Sequence, residues 1–377
     1  MSDKKPSKKM QYLFTVIVLA VTMIIVLACL LREKSLPELG RIFTSLDPFW
    51  MLLALGTLFG AWGLEGLCNW LLSRHLYPEW TYGRSFMVGI TGIFYACITP
   101  CGAAGQPMQI YYMSKMGMEP GPSAAIISAK TLTHQCTMVV FSLFLILTEL
   151  PFFVKNVSNL TLFTIFGLVT NVIFILAVIL ISVNAKLIHA LLRGVLAVLG
   201  KMHIVKDIPS SYDSIVRHLN SFQRGFKTMG KSWKLYLLVC AITVVQLILG
   251  SYDTYCIYRA FHLYGASMWQ VIAAEVFAGM VVSFIPLPGN SGGAEASFEA
   301  FCHIFFGNMT TPAMLVWRLI SYYGSIIFGG ILVFIGSRRY LDKTTGTADV
   351  IPPAEEIPTE PSAPPPTAPA RIKMKHK

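Results

Sequence analysis

The sequence predicts an all-α polytopic membrane protein, with about six transmembrane helices and two re-entrant helical hairpins arranged as an inverted repeat. Three observations predict it. Of the 377 residues, 54% are apolar and only 13% are charged, at a mean hydropathy of +0.60, whereas a soluble domain carries about 25% charge. Several uninterrupted apolar stretches reach the roughly 20 residues that a helix needs to cross hydrocarbon. The rare polar residues inside those stretches recur at a fixed spacing. A water-soluble globular domain and a chain disordered throughout are both excluded.

Residues 1–11 form a basic N-terminus with Lys4, Lys5, Lys8 and Lys9. The first span, 12–31, reads as a signal anchor, because its apolar run is long and continues past Cys29, the one faint cleavage signal. Residues 48–72, 122–150, 160–183, 235–261 and 312–336 are the other full spans. Two further apolar regions, 85–118 and 269–307, are broken in the middle by Pro and Gly, and each is expected to enter and leave by the same face. Between the spans, 184–234 carries apolar residues at helical spacing with a basic face that includes Lys186 and Arg193, as an amphipathic helix lying on the cytoplasmic lipid surface would. The domain therefore runs over 12–340, and the Pro-rich, basic-ended segment 341–377 is expected to be a disordered tail.

Charge orients these elements. With the N-terminus inside and each broken region returning to its own side, most of the 30 basic residues fall inside, nine of them in 184–234 alone. If either broken region crossed fully, a basic stretch would land outside. The formal charge of +11 is thus an orientation signal and implies no nucleic-acid partner. Both termini are placed in the cytoplasm. The eight cysteines lie in apolar segments without CxxC spacing, so neither a disulfide framework nor a metal site is indicated.

At an offset of 188 residues the unusual positions of one half meet their chemical counterparts in the other: Glu65 with Asp253, Pro100 with Pro288, Gly105 with Gly293, Lys130 with Arg318. The predicted topology runs the corresponding segments in opposite senses. Repeat 1 covers about 48–150 and repeat 2 about 235–336, the inverted architecture that transporters use to build a midplane site reachable from either side.

The breaks point to that site. The first reads Thr99-Pro100-Cys101-Gly102-Ala103-Ala104-Gly105-Gln106-Pro107; the second reads Pro286-Leu287-Pro288-Gly289-Asn290-Ser291-Gly292-Gly293-Ala294-Glu295. Pro100 ends one half-helix and Pro107 suits the first turn of the next. In the second break Asn290, Ser291 or Gly292 can cap the new helix, with Glu295 in its first turn. Each break should set a helix N-terminus deep in the membrane, an arrangement that suits an anion. Lys130 and Arg318 would add positive charge for an anionic headgroup, with Glu65 and Asp253 as their resting partners; two structural salt bridges would use the same residues. The candidate substrate-binding set is Lys130, Arg318, Glu65, Asp253, Gly105, Gln106, Ser291, Gly292, Gly293 and Glu295. Glu275 and Glu299 have no charged counterparts in the first hairpin and are candidate proton carriers. His134, one turn from Lys130, could share its cavity. The chain shows no catalytic signature, and no cofactor is implied.

The two Pro/Gly breaks and their spacing resemble the lysylphosphatidylglycerol synthase transmembrane-region family, over roughly residues 10–340. The resemblance implies a multi-pass protein of the bacterial inner membrane, the flippase half of multiple peptide resistance factors, which moves aminoacylated phosphatidylglycerol and contributes to resistance against cationic peptides. Full-length relatives carry a soluble aminoacyltransferase domain after the membrane region, whereas here a Pro-rich tail follows. A membrane phospholipid, anionic or aminoacylated, is the expected partner, alongside a second copy of the chain or a separate soluble synthase. The alternatives are a phosphatidylglycerol lysyltransferase, as the family label implies, and a transporter of another lipid carrier or a small anion.

Overall fold

The computed structural model describes residues 36–100, 102–156, 173, 176, 232–282 and 290–340. The expected span 12–31, all of 160–183 but residues 173 and 176, the tail, nearly all of the linker and the Pro286–Gly289 stretch lie outside these residues. Every element among the described residues is helical.

After the short helix α1 (Leu36–Thr44), α2 runs over Pro48–Leu76. Its start is set locally. Asp47 is the N-cap, its carboxylate accepting the Phe49 N–H at 2.9 Å, and Pro48 occupies the first turn, where no N–H is needed. A pair of shorter helices follows, α3 (Tyr82–Cys97) and α4 (Gly105–Lys115), and then the long α5 (Pro120–Asn156). The second half repeats this order. It comprises α6 (Trp233–Ala260), the short pair α7 (Met268–Val282) and α8 (Gly293–Phe306), and a long composite helix. That last element is α9 (Thr310–Trp317), a π-helical turn over Arg318–Tyr323, and α10 (Gly324–Tyr340).

Four helical stretches are long and apolar enough to cross a membrane: Pro48–Leu76, Pro120–Glu149, Trp233–Ala260 and Gly293–Tyr340. Taken singly, the members of the two short pairs are not, although α8 continues into the composite helix within the Gly293–Tyr340 stretch. At 16, 11, 15 and 14 residues and 1.5 Å per residue, α3, α4, α7 and α8 reach only about 16–24 Å against a core of about 30 Å. Within each pair the two helices pack on each other. The boundaries also keep the spacing seen in the sequence, since Gly105 opens α4 and Gly293, 188 residues on, opens α8.

The most extensive helix contact joins α2 and α6, which correspond at that spacing. They run antiparallel. The Asp47 N–H at the head of α2 bonds the Ala260 carbonyl at the foot of α6 (3.1 Å), and Ser232 at the head of α6 meets His75 at the foot of α2 (3.0 Å). Two apolar cores flank this contact, one around Trp62, Leu72, Trp80 and Ile126, the other around Phe277, Phe298, Phe301 and Ala313. Leu52, Val140, Leu147, Leu237 and Phe334 point outward and are more than half exposed. An apolar outer face of this kind suits hydrocarbon rather than water.

Candidate functional site

The first charge centre forms where α2, α5 and α6 meet. Glu65 is buried on α2, and its Oε1 is ion-paired with Lys130 Nζ on α5. Gln246 on α6 donates to the other carboxylate oxygen at 3.1 Å, and Asn69, one turn along α2, donates to Oε1 at 3.4 Å. The helices close tightly here. A Cβ on Gly89 of α3 would stand 3.0 Å from the Glu65 Cγ. The carboxylate is thereby enclosed and satisfied, as a buried charge must be to persist in low dielectric.

The second centre is wired differently. The sequence reading paired Asp253 with Arg318, but Arg318 Nε is ion-paired with Glu295 Oε1 at 2.8 Å. No ion pair joins Asp253 to Arg318 among the described residues. The backbones at the two bases differ: Lys130 lies inside a continuous α-helix, whereas Arg318 opens a π-helical turn. The buried Asp253 takes the Thr254 N–H at 2.6 Å, and the Thr254 hydroxyl donates to Glu275 Oε2 on α7 at 3.0 Å.

Glu295 also accepts the Gly292 N–H at 2.6 Å. The N-terminus of α8 therefore already holds a carboxylate of the protein itself, in the position expected for a ligand anion. Gly292 has φ +84° and Asn290 φ +53°, conformations that glycine and asparagine tolerate best. At the first tip the Thr99 hydroxyl accepts the Ala104 N–H at 3.2 Å. Gly105 serves close packing there, since a Cβ would meet the Gly92 carbonyl at 2.9 Å.

Between the two tips lies a cavity of about 360 Å³. Cys97 and Gly102 line it from the first hairpin, Glu275 and Asn290 from the second, and Arg318 and Tyr322 from the composite helix. The guanidinium lies over the Trp317 and Tyr322 rings at 5.0 and 5.3 Å, an arrangement that holds a cation by its flat face. Tyr322 ties the helix to the first hairpin by donating to the Cys97 carbonyl at 3.3 Å.

Of the residues selected from sequence, Arg318 lines this cavity and Glu295 pairs with it. Asp253 stands behind Glu275 through Thr254. Lys130 and Glu65 form the separate centre, with His134 close enough to feel both charges. Gln106 points to Thr131 at 3.3 Å, while Ser291, Gly292 and Gly293 shape the second tip. Asn290 and Tyr322 were missed as lining residues. Asn290 was weighed only as a cap, and Tyr322 carries no motif, although a tyrosine four residues after a membrane arginine is a usable signal. Among the described residues no group of three metal-ligating side chains gathers.

Residues 14–329 match the family described as the lysylphosphatidylglycerol synthase TM region. The chain is also similar to a UPF0104 membrane protein of Archaeoglobus fulgidus, at 28% identity over 310 residues that cover 75% of this chain and 86% of the relative. No solved structure matches.

Proposed function

The chain belongs to the lysylphosphatidylglycerol synthase transmembrane-region family, and on that premise we propose that it is a lipid translocase, carrying a phospholipid headgroup past a site between two hairpins of opposite sense. The two halves are then an inverted repeat. The matching order of helices in the two halves and the antiparallel run of α2 against α6 support that reading. The cavity that both hairpins line, with the Arg318 guanidinium in its wall, is the observation that carries the proposal.

The chemistry follows from the groups present. A phosphodiester is complementary to a guanidinium in charge and geometry, so the headgroup phosphate would sit against Arg318 in the cavity wall, with Asn290 and Tyr322 beside it. Acyl chains stay along the apolar outer faces. The substrate class is an anionic or aminoacylated phospholipid of the lysylphosphatidylglycerol kind, the membrane is the bacterial inner membrane with both termini cytoplasmic, and the physiological consequence is resistance to cationic peptides.

Reconstitution in vesicles containing headgroup-labelled phosphatidylglycerol tests this, with movement read by chemical quenching of the outer leaflet. The expected result is movement at least tenfold faster than in protein-free vesicles, reduced nearly to that background by Arg318→Ala and only partly by Arg318→Lys. Equal rates in the Arg318→Ala protein and the unaltered chain would remove the site.

A further inference from the structure

We propose that Arg318 exchanges partners during the working cycle, leaving Glu295 at the tip of the second hairpin and joining Asp253 on α6. This inference rests on the translocase reading of the same cavity.

The two halves supply the argument. In an inverted repeat, access alternates as one half moves against the other around a shared site, so a difference in wiring between the halves marks where the two states can part. The wiring here differs in that way. In the first half the base on the long helix pairs with the acid on the central helix, Lys130 with Glu65. In the second half the corresponding acid, Asp253, is left with the Thr254 N–H, while the corresponding base pairs across to the hairpin tip.

Three further observations make the second half the one that switches. Arg318 opens a π-helical turn within an otherwise α-helical element, and such a turn can pass to α-helix by shifting one residue, which swings its side chains around the axis. Glu275 lines the same cavity as Arg318 and shares the Thr254 bridge with Asp253, so a guanidinium turning that way meets two carboxylates that form no ion pair among the described residues. Glu295 joins the Gly292 N–H to Arg318, so departure of Arg318 frees the start of α8 from the composite helix. The exchange thereby couples a charge movement inside the cavity to release of the hairpin tip.

Hydrogen–deuterium exchange of the purified full chain, read on peptides covering 290–300, reports that release. Asparagine at position 253 keeps an acceptor for the Thr254 N–H but removes the charge awaiting Arg318. Asp253→Asn is therefore expected to slow exchange in 290–300 at least threefold, although Asp253 does not touch that tip, and Asp253→Glu to restore it. Glu275→Gln should slow the same peptides, and it decides the matter if Asp253→Asn fails to fold. Unchanged or faster exchange in 290–300 in a folded Asp253→Asn or Glu275→Gln protein would overturn the partner exchange. The lipid assay separates this outcome from failure of the translocase reading. Lipid movement with an insensitive tip overturns the exchange alone, whereas a responsive tip without lipid movement supports the exchange and removes the translocase.

Discussion

Around Glu65 the carboxylate is closed in by Lys130, Gln246 and Asn69, whereas 188 residues on Asp253 has no ion pair among the described residues and Arg318 reaches the hairpin tip instead. The residue classes are the same and the helices that carry them correspond. Backbone and surroundings differ. One base rises from an unbroken α-helix into a packed junction of three helices, the other from a π-helical turn at the wall of a cavity. An acid–base match in sequence thus specifies which charges are buried, and the surrounding packing decides whether they close on each other or on other partners.

The largest expected effect tests the closed centre. Lys130→Met leaves Glu65 buried without its cation and should destabilise the protein by about 3–5 kcal/mol, read as thermal unfolding in detergent. The double variant Glu65→Gln with Lys130→Met should recover most of that loss, because two neutral groups need no pairing. If Lys130→Met proves nearly neutral, the first centre is not closed and the contrast between the two halves fails.

The second centre should respond in the opposite sense, with a smaller change in stability and a larger one in activity. In Arg318→Met the Glu295 carboxylate keeps the Gly292 N–H, and its side chain is 20% exposed. The expected cost is about 1–3 kcal/mol, accompanied by loss of lipid movement. A stability loss equal to that of Lys130→Met would make Arg318 a structural residue of the same kind.

Most of the helical frame was legible in the sequence because the bilayer imposes a length on every crossing and an unsatisfied break on every Pro/Gly run. The two pairs of short helices, three of the four apolar stretches and the Glu65–Lys130 pair follow from those rules; the fourth stretch, Gly293–Tyr340, takes in α8, which the sequence pattern assigns to the second broken region. The partner of Arg318 was not legible, since Glu295 lies on another helix and only packing brings the two together. The role of Glu295 was only half visible. Its place in the first turn of α8 is a capping signal, but its second oxygen is occupied by a residue distant in sequence, which only packing can reveal. Glu275 could be singled out as an intramembrane acid, yet its link to Asp253 depends on the Thr254 hydroxyl.

The tips sharpen the comparison further. Gly105→Ala would drive a methyl to 2.9 Å from the Gly92 carbonyl and 3.1 Å from the Ala96 Cβ, so α4 must move off α3 at a cost of about 1–3 kcal/mol. Gly292→Ala meets no atom within 4 Å, but places a side chain at φ +84°, where the cost is conformational, about 1–2 kcal/mol. Crystal structures of the two variants would separate the mechanisms, with displaced helices in the first and an altered turn in the second.

The smallest effect is expected at Thr99, and it bears on why the two tips are capped differently. Its hydroxyl donates to the Tyr95 carbonyl at 2.6 Å and accepts the Ala104 N–H at 3.2 Å, so one neutral group serves the end of α3 and the approach to α4. Thr99→Ala should cost about 1 kcal/mol, the usual value of such a cap. It should leave lipid movement intact, because no charge is disturbed. The corresponding duty at the second tip falls to Glu295, whose carboxylate also holds Arg318, and Glu295→Gln should therefore change lipid movement even where its effect on stability is similar. Equal functional effects of the two substitutions would mean that the tips act only through their shape. Unequal effects would assign the difference between the halves to the charge that the second tip shares with the cavity wall.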